Sequence, residues 1–221
     1  MSNENHELPY YNHGFSSFNN RLSDTACTDW SAFPDCARND ISNHHQRPTC
    51  SSNLSQPLTL AQSATNVVNA LQKHDLTAIA ELVHPQWGLR FSPYAFVHET
   101  DLFFSKVQIP GLLEDITIYQ WGTYDGSGEP ISLDFPEYFD EFVYNVDFAN
   151  PEMIGYNKEI GTGNVPNNIS DFFPGAEFVE YHFSGFDPQY GGMDWQSLRL
   201  VFIKEKGQYF LVGIVHAQWT I

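Results

Sequence analysis

The chain has 221 residues, 42% of them hydrophobic and 15% aromatic, which suits one domain with a real core plus a tail. Its formal net charge of −17, from 27 acidic and 10 basic residues, excludes nucleic-acid phosphate as a partner, because phosphate binding needs a Lys/Arg face. The same balance disfavours docking on an anionic membrane surface.

Residues 1–57 are rich in Ser, Asn, Asp, His and Pro and lack helical or strand periodicity, so they are expected to form a disordered or weakly docked polar segment. Three Arg against six acids give that segment −3, which leaves −14 for the folded domain expected over 58–221. The opening "MSNENHELPYYNHGFSSFNN" has neither a basic n-region nor an apolar run, so the chain as written is expected in the cytoplasm. No stretch approaches the roughly 18 apolar residues of a membrane span. Cys27, Cys36 and Cys50 all lie in this segment with His44 and His45. Their spacings, C-x8-C and C-x13-C, lack the short knuckle of a zinc site, and no metal is expected. "TCSSNLSQ" resembles the start of a mature bacterial lipoprotein, although the preceding "QRPT" is no lipobox. The rest of the chain has no cysteine and folds without disulfides.

"LTLAQSATNVVNALQKHD" places Leu60, Ala64, Val67, Val68 and Leu71 on one helix face, with Thr59 as the N-cap. "LTAIAELVHP" is a second, shorter helix with Thr77 near its start, stopped by His84 and Pro85. "WGLRFSPYAFV" alternates as a strand. "DLFFSKVQIPGLLEDI" reads as a short helix and its exit. "TIYQWGTYDGSGEPISL" gives two strands around a Gly-rich turn. Asp125, Ser127 and Glu129 alternate there like a calcium loop, but Pro136 stands where the bidentate Glu belongs. Asp134 and Glu137 form a capping box for a third helix of about ten residues, with Phe135, Phe139, Phe142 and Val143 on one face. "NPEMIGYNKEIGTGNVPNN" reads as a long loop. Gly161 and Gly163 give only G-x-G with no helix behind it, so no dinucleotide or other cofactor is expected.

The last part holds three strands: "AEFVEYHFSGF", then "DWQSLRLVFIKEKGQYFLVGIVHAQWT" folded at "KEKGQ". Alternation puts Leu198, Leu200 and Phe202 on one face. It also groups Phe210, Val212, Ile214 and His216, opposite Leu211, Gly213, Val215 and Ala217. Strands apolar on both sides must be covered on both sides. Between the first two strands, "SGFDPQYGG" breaks the ladder, since Pro188 cannot donate and Gly191 and Gly192 tolerate positive φ. Either this bulge sits at the rim of a site, or Tyr190 and Trp195 plug the sheet edge while Asp187 makes an Asx turn.

The order of elements, and the closing "YFLVGIVHAQWTI", resembles the ketosteroid-isomerase-like or nuclear-transport-factor-like cone. The resemblance implies an α+β fold in which a curved antiparallel sheet wraps N-terminal helices around a cavity. "LVHPQWGLRFSPYAFV", "YQWGTYDGSGEPI" and "VEYHFSGFDPQYGGMDWQSLRLVF" are similar to a family of uncharacterised bacterial proteins, often secreted or lipid-anchored. That likeness implies an extracytoplasmic location as the alternative, and it transfers no chemistry.

Within such a cone His182, Asp194 and His216 are the ionisable candidates, because a His–Asp pair makes a general base near neutral pH. Tyr94, Trp121, Tyr144, Tyr181, Tyr190, Trp195 and Trp219 are the candidate ligand-binding rings. Three functions follow. The first is a module binding a small molecule or a protein partner through an aromatic-lined cavity. The second is a cofactor-free isomerase, dehydratase or hydrolase. The third is a structural domain that homodimerises through an apolar sheet face.

Overall fold

The computed structural model describes residues 57–220. The expectations for residues 1–56, including those for Cys27, Cys36, Cys50, His44 and His45, lie outside the described residues. Thr59 and Gln62 start the first helix together. The Gln62 amide donates to Thr59 Oγ1 at 3.3 Å and the Thr59 amide donates to Gln62 Oε1 at 2.9 Å, a closed capping box. Helix α1 (Leu60–Gln72) then buries Ala64, Val67, Val68 and Leu71, the face that the periodicity predicts. Helix α2 (Leu76–Leu82), with Thr77 in its first turn, is capped by Asp75, whose carboxylate accepts from the Ala78 amide at 2.9 Å. His84 closes the turn beyond it: Nδ1 accepts from the Gln86 and Trp87 amides at 3.2 and 3.1 Å.

Strands β1 (Leu89–Ser92) and β2 (Phe103–Phe104) follow, then a 3₁₀ turn at Ile109–Glu114. Strands β3 (Tyr119–Thr123) and β4 (Pro130–Leu133) form a separate hairpin. The Asp134–Glu137 capping box opens helix α3 (Phe135–Tyr138), which widens into a π turn over Phe139–Val143. The long segment that reads as a loop contains strand β5 (Met153–Tyr156), and helix α4 (Ile169–Phe172) lies just beyond it. Strands β6 (Glu177–Phe183), β7 (Gln196–Glu205) and β8 (Gln208–Gln218) complete the chain. The fold is α+β: one curved six-stranded sheet, ordered β2-β1-β8-β7-β6-β5, with α1, α2 and α3 packed on one face. Every pairing in it is antiparallel except β1 with β8.

The inner face carries Val179, Tyr181, Leu198, Leu200, Phe202, Ile214 and Leu211 against the helices. Leu211 belongs there because of a β-bulge. Val201 pairs with Gly213, and the next residue, Phe202, pairs with Leu211. Val212 is therefore an extra residue, and its side chain joins Val201 and Val215 on the outer face. Strict alternation, which groups Val212 with Ile214, fails at that point for this reason.

The outer face is covered by the chain itself. Residues 157–176 form a strap whose Ile169 and Phe173 pack on Phe178, Val201, Val212 and Val215. Asn168 fastens it, since its side chain accepts from the Val97 amide at 2.7 Å and donates to the Val97 carbonyl at 2.9 Å. Trp195 also lies beneath the strap. A Cβ on Gly161 would stand 2.5 Å from the Trp195 ring and 2.7 Å from Ser197 Oγ. Close approach, not a phosphate, explains this glycine. The apolar outer surface that would serve a homodimer is thus already occupied.

Gly161→Ala is expected to lower stability by about 1–3 kcal/mol in urea unfolding, the usual cost of overpacking. Gly111→Ala, whose added methyl meets nothing within 4 Å, is expected to stay within about 0.5 kcal/mol of the parent. Equal effects of the two changes would contradict the strap's packing.

Candidate functional site

Beneath the strap, four polar side chains meet on the outer face. Glu180, Arg199 and Ser197 are fully buried and His182 nearly so. Arg199 Nε donates to Glu180 Oε2 at 3.0 Å, and the Ile160 amide donates to the same oxygen at 3.1 Å. Glu180 Oε1 accepts from the Gly161 amide at 2.8 Å and from Ser197 Oγ at 2.7 Å. Arg199 Nη2 reaches the strap as well, donating to the Gly161 carbonyl at 2.7 Å and to Glu159 at 2.8 Å. Because the Ser197 hydroxyl proton is committed to Glu180, Ser197 accepts from His182 Nδ1 at 2.7 Å. That bond places the His182 proton on Nδ1. Burial lowers the His182 pKa despite the opposing carboxylates of Glu180 and Glu152.

His216 lies on the opposite, inner face, fully buried, with its ring edge-on to Phe142 at 5.8 Å. Burial lowers its pKa to about 4, although a 3.2 Å contact between Nε2 and Gln218 favours the charged form. Asp194 belongs to neither histidine. Its Oδ2 accepts from the Phe186 and Asp187 amides at 2.8 and 2.7 Å, which holds its carboxyl below the usual range and closes the 184–194 loop. The His–Asp pair is therefore not assembled: His182 and His216 face opposite sides of the sheet, and Asp194 is a loop anchor.

The predicted rings also disperse. Tyr181 is buried on the inner face, and burial raises its pKa well above the ordinary value. Tyr144 donates to Asp147 at 2.7 Å and is pushed up to about 12, chiefly by burial. Trp195 lies under the strap, and Tyr190 and Trp219 are exposed. The space between the inner face of the sheet and the helices is filled with stacked rings. Trp121 stacks on Tyr138 at 3.7 Å, Tyr138 on Phe142 at 5.2 Å, and Phe142 meets His216. The hollow that the cone resemblance implies is occupied by aromatic side chains.

Tyr94 and Trp121 do share a space, at the rim. A cleft of about 710 Å³ opens between the segment after β1 and the tip of the β3–β4 hairpin. Its walls include Tyr94, Phe96, Tyr124 and the edge of Trp121. The Tyr94 hydroxyl accepts from the Asp125 amide at 3.0 Å, which ties the hairpin tip to the opposite wall. Asp101 also lines this cleft and is only 6% exposed. Its Oδ2 accepts from Ser92 Oγ at 2.5 Å and from the His98 amide at 2.9 Å. Burial raises its pKa against those two bonds. Sequence reading misses Asp101 because "HETDLFF" has no motif; only the fold brings it into the same cleft as Tyr94.

No protein-family model and no curated protein matches the sequence. Among solved structures, the chain is similar to a DUF4783-family protein from Bacteroides ovatus, at 10% identity and a TM-score of 0.26 over 74% of this chain and 96% of that one. It is also similar to a protein whose name begins Rd1NTF2, at 10% identity and a TM-score of 0.28 over 70% and 91% of the two chains. At such scores neither likeness carries weight for this chain. No helix among the described residues is long and apolar enough to cross a membrane.

Arg199→Met leaves Glu180 buried without its cation and is expected to cost about 3–5 kcal/mol in urea unfolding. The double change Glu180→Gln with Arg199→Met should recover part of that loss, and purely additive costs would contradict a coupled pair. For His216 the folded pKa lies below the ordinary 6.5. Its contribution is therefore whole above about pH 6.5 and drains as pH falls towards about 4, by about 3 kcal/mol in total. His216→Phe should flatten that part of the stability profile. An unchanged slope would contradict the buried neutral ring.

Proposed function

We propose that residues 57–220 act as a small-ligand-binding module and that the ligand sits in the cleft between the segment after β1 and the β3–β4 tip. The observation that carries this is the meeting of aromatic walls with one buried carboxylate in a space of ligand size. About 710 Å³ falls within the roughly 300–1,000 Å³ of ligand pockets, and its aromatic walls are interleaved with polar side chains that could orient a ligand. Tyr94 contributes both a wall and, through its bond to the Asp125 amide, the width of the opening. Trp121 forms part of the floor, held by its Nε1 donating to the Leu133 carbonyl at 3.0 Å. The acid–base alternative lacks its assembled His–Asp pair. The dimer alternative lacks its bare sheet face.

Screening the full chain against a fragment panel by amide NMR tests this. Hits should move the Thr100, Gly126 and Gly128 amides. Tyr94→Ala should weaken binding about tenfold, near 1.4 kcal/mol, while His182→Ala and Tyr190→Ala change it less than about threefold. Hits that map to other surfaces, or that ignore Tyr94→Ala, would contradict the proposal.

A further inference from the structure

The acidic group at the bottom of the cleft has an uncommon status. Asp101 is nearly buried, yet among the described residues it forms no ion pair. The positive charges of Arg90 and His98 act on it from a distance and oppose the effect of burial, but the Arg90 guanidinium makes no salt bridge with it. It donates to the backbone carbonyls of His98, Glu99 and Asp101 and lies over the rings of Phe103 and Phe172. A buried carboxylate without a cation is costly unless something neutralises it. The direction of the Asp101 pKa, raised by burial, agrees with incomplete compensation.

The cleft around Asp101 is built for the same sign of charge. Asp101 and Asp125 line it, and no Lys or Arg does; His98 is the basic side chain among its lining residues. The aromatic side chains of Tyr94, Phe96 and Tyr124 complete the walls, and ring faces attract cations through their quadrupoles. Asp101 is also preset. Bonds from Ser92 and the His98 amide fix its carboxylate before any ligand arrives, so little ordering remains to be done on binding. A bare metal ion fits less well, because no three His, Cys, Asp or Glu side chains gather as ligands among the described residues.

We propose that the cleft's ligand is a small organic cation, an ammonium group seated between the aromatic walls and the Asp101 carboxylate. The assignment rests on the binding role proposed above. Three probes of one shape test it on the full chain by amide NMR: choline, its uncharged tert-butyl analogue in which carbon replaces nitrogen, and the tert-butylacetate anion. Choline should shift the Thr100, Gly126 and Gly128 amides saturably. The uncharged analogue should bind at least about tenfold more weakly, and the anion should not bind. Asp101→Asn should weaken choline about tenfold. Asp101 is buried, so Tyr124→Leu serves as a second variant: it keeps apolar bulk but removes a ring face, and it should weaken choline about threefold while leaving the uncharged analogue unchanged. Equal binding of choline and its analogue, or choline binding that ignores both variants, would overturn the cation and leave the binding role intact. Silence of all three probes while fragments still map to the cleft would also overturn the cation alone. Silence of probes and fragments together would remove both.

Discussion

The Glu180–Arg199 pair is the constraint around which the outer half of this protein is arranged. A sheet whose central strands are apolar on both faces needs two covers. Helices α1, α2 and α3 supply one. The other is a 20-residue strap with little secondary structure of its own, held by apolar packing, by Asn168 and by the buried ion pair. Glu180 gives it two backbone anchors, the amides of Ile160 and Gly161, and Arg199 gives a third through the Gly161 carbonyl. Every oxygen of Glu180 is thereby satisfied in a dry place, which is the condition under which a buried carboxylate is tolerable. Removing either charge strands the other.

The inner half follows a different logic. Its space is taken up by rings: Phe91, Phe135 and Phe139 pack with the Trp121–Tyr138–Phe142 stack. Such rings bury large areas and prefer offset or edge-on contacts, so they fill a tapering interior efficiently. With the centre full and the outer face strapped, concave space remains at the rim, where the β3–β4 hairpin leans over the segment after β1. The concave space on this side of the sheet therefore lies at the domain's rim and not at its centre. The strap takes part there too, because Val165 lines the cleft.

Much of the frame was legible in the chain. Thr59 with Gln62, and Asp134 with Glu137, announce helix starts because capping is a local interaction among residues three apart. Alternation in β7 gives the inner face of Leu198, Leu200 and Phe202 correctly. It fails in β8 at Val212, since a bulge depends on the partner strand and leaves no local mark. The strap was invisible for a similar reason. "EIGTGNVPNN" has the composition of a loop, and what orders it is a carboxylate about 20 residues later in the sequence. For the site, Tyr94 and Trp121 were within reach as rings on alternating segments. Asp101 was not, because its burial is produced by residues distant in the chain.

Hydrogen exchange at the Ile160 and Gly161 amides reports on the strap's anchoring, because both donate to a buried carboxylate and to no strand. Both amides should be protected comparably to the Leu200 amide in the middle of the sheet and should open only when the domain does. Exchange as fast as that of the exposed Gly126 amide at the hairpin tip would mean that the Glu180–Arg199 pair does not anchor the strap.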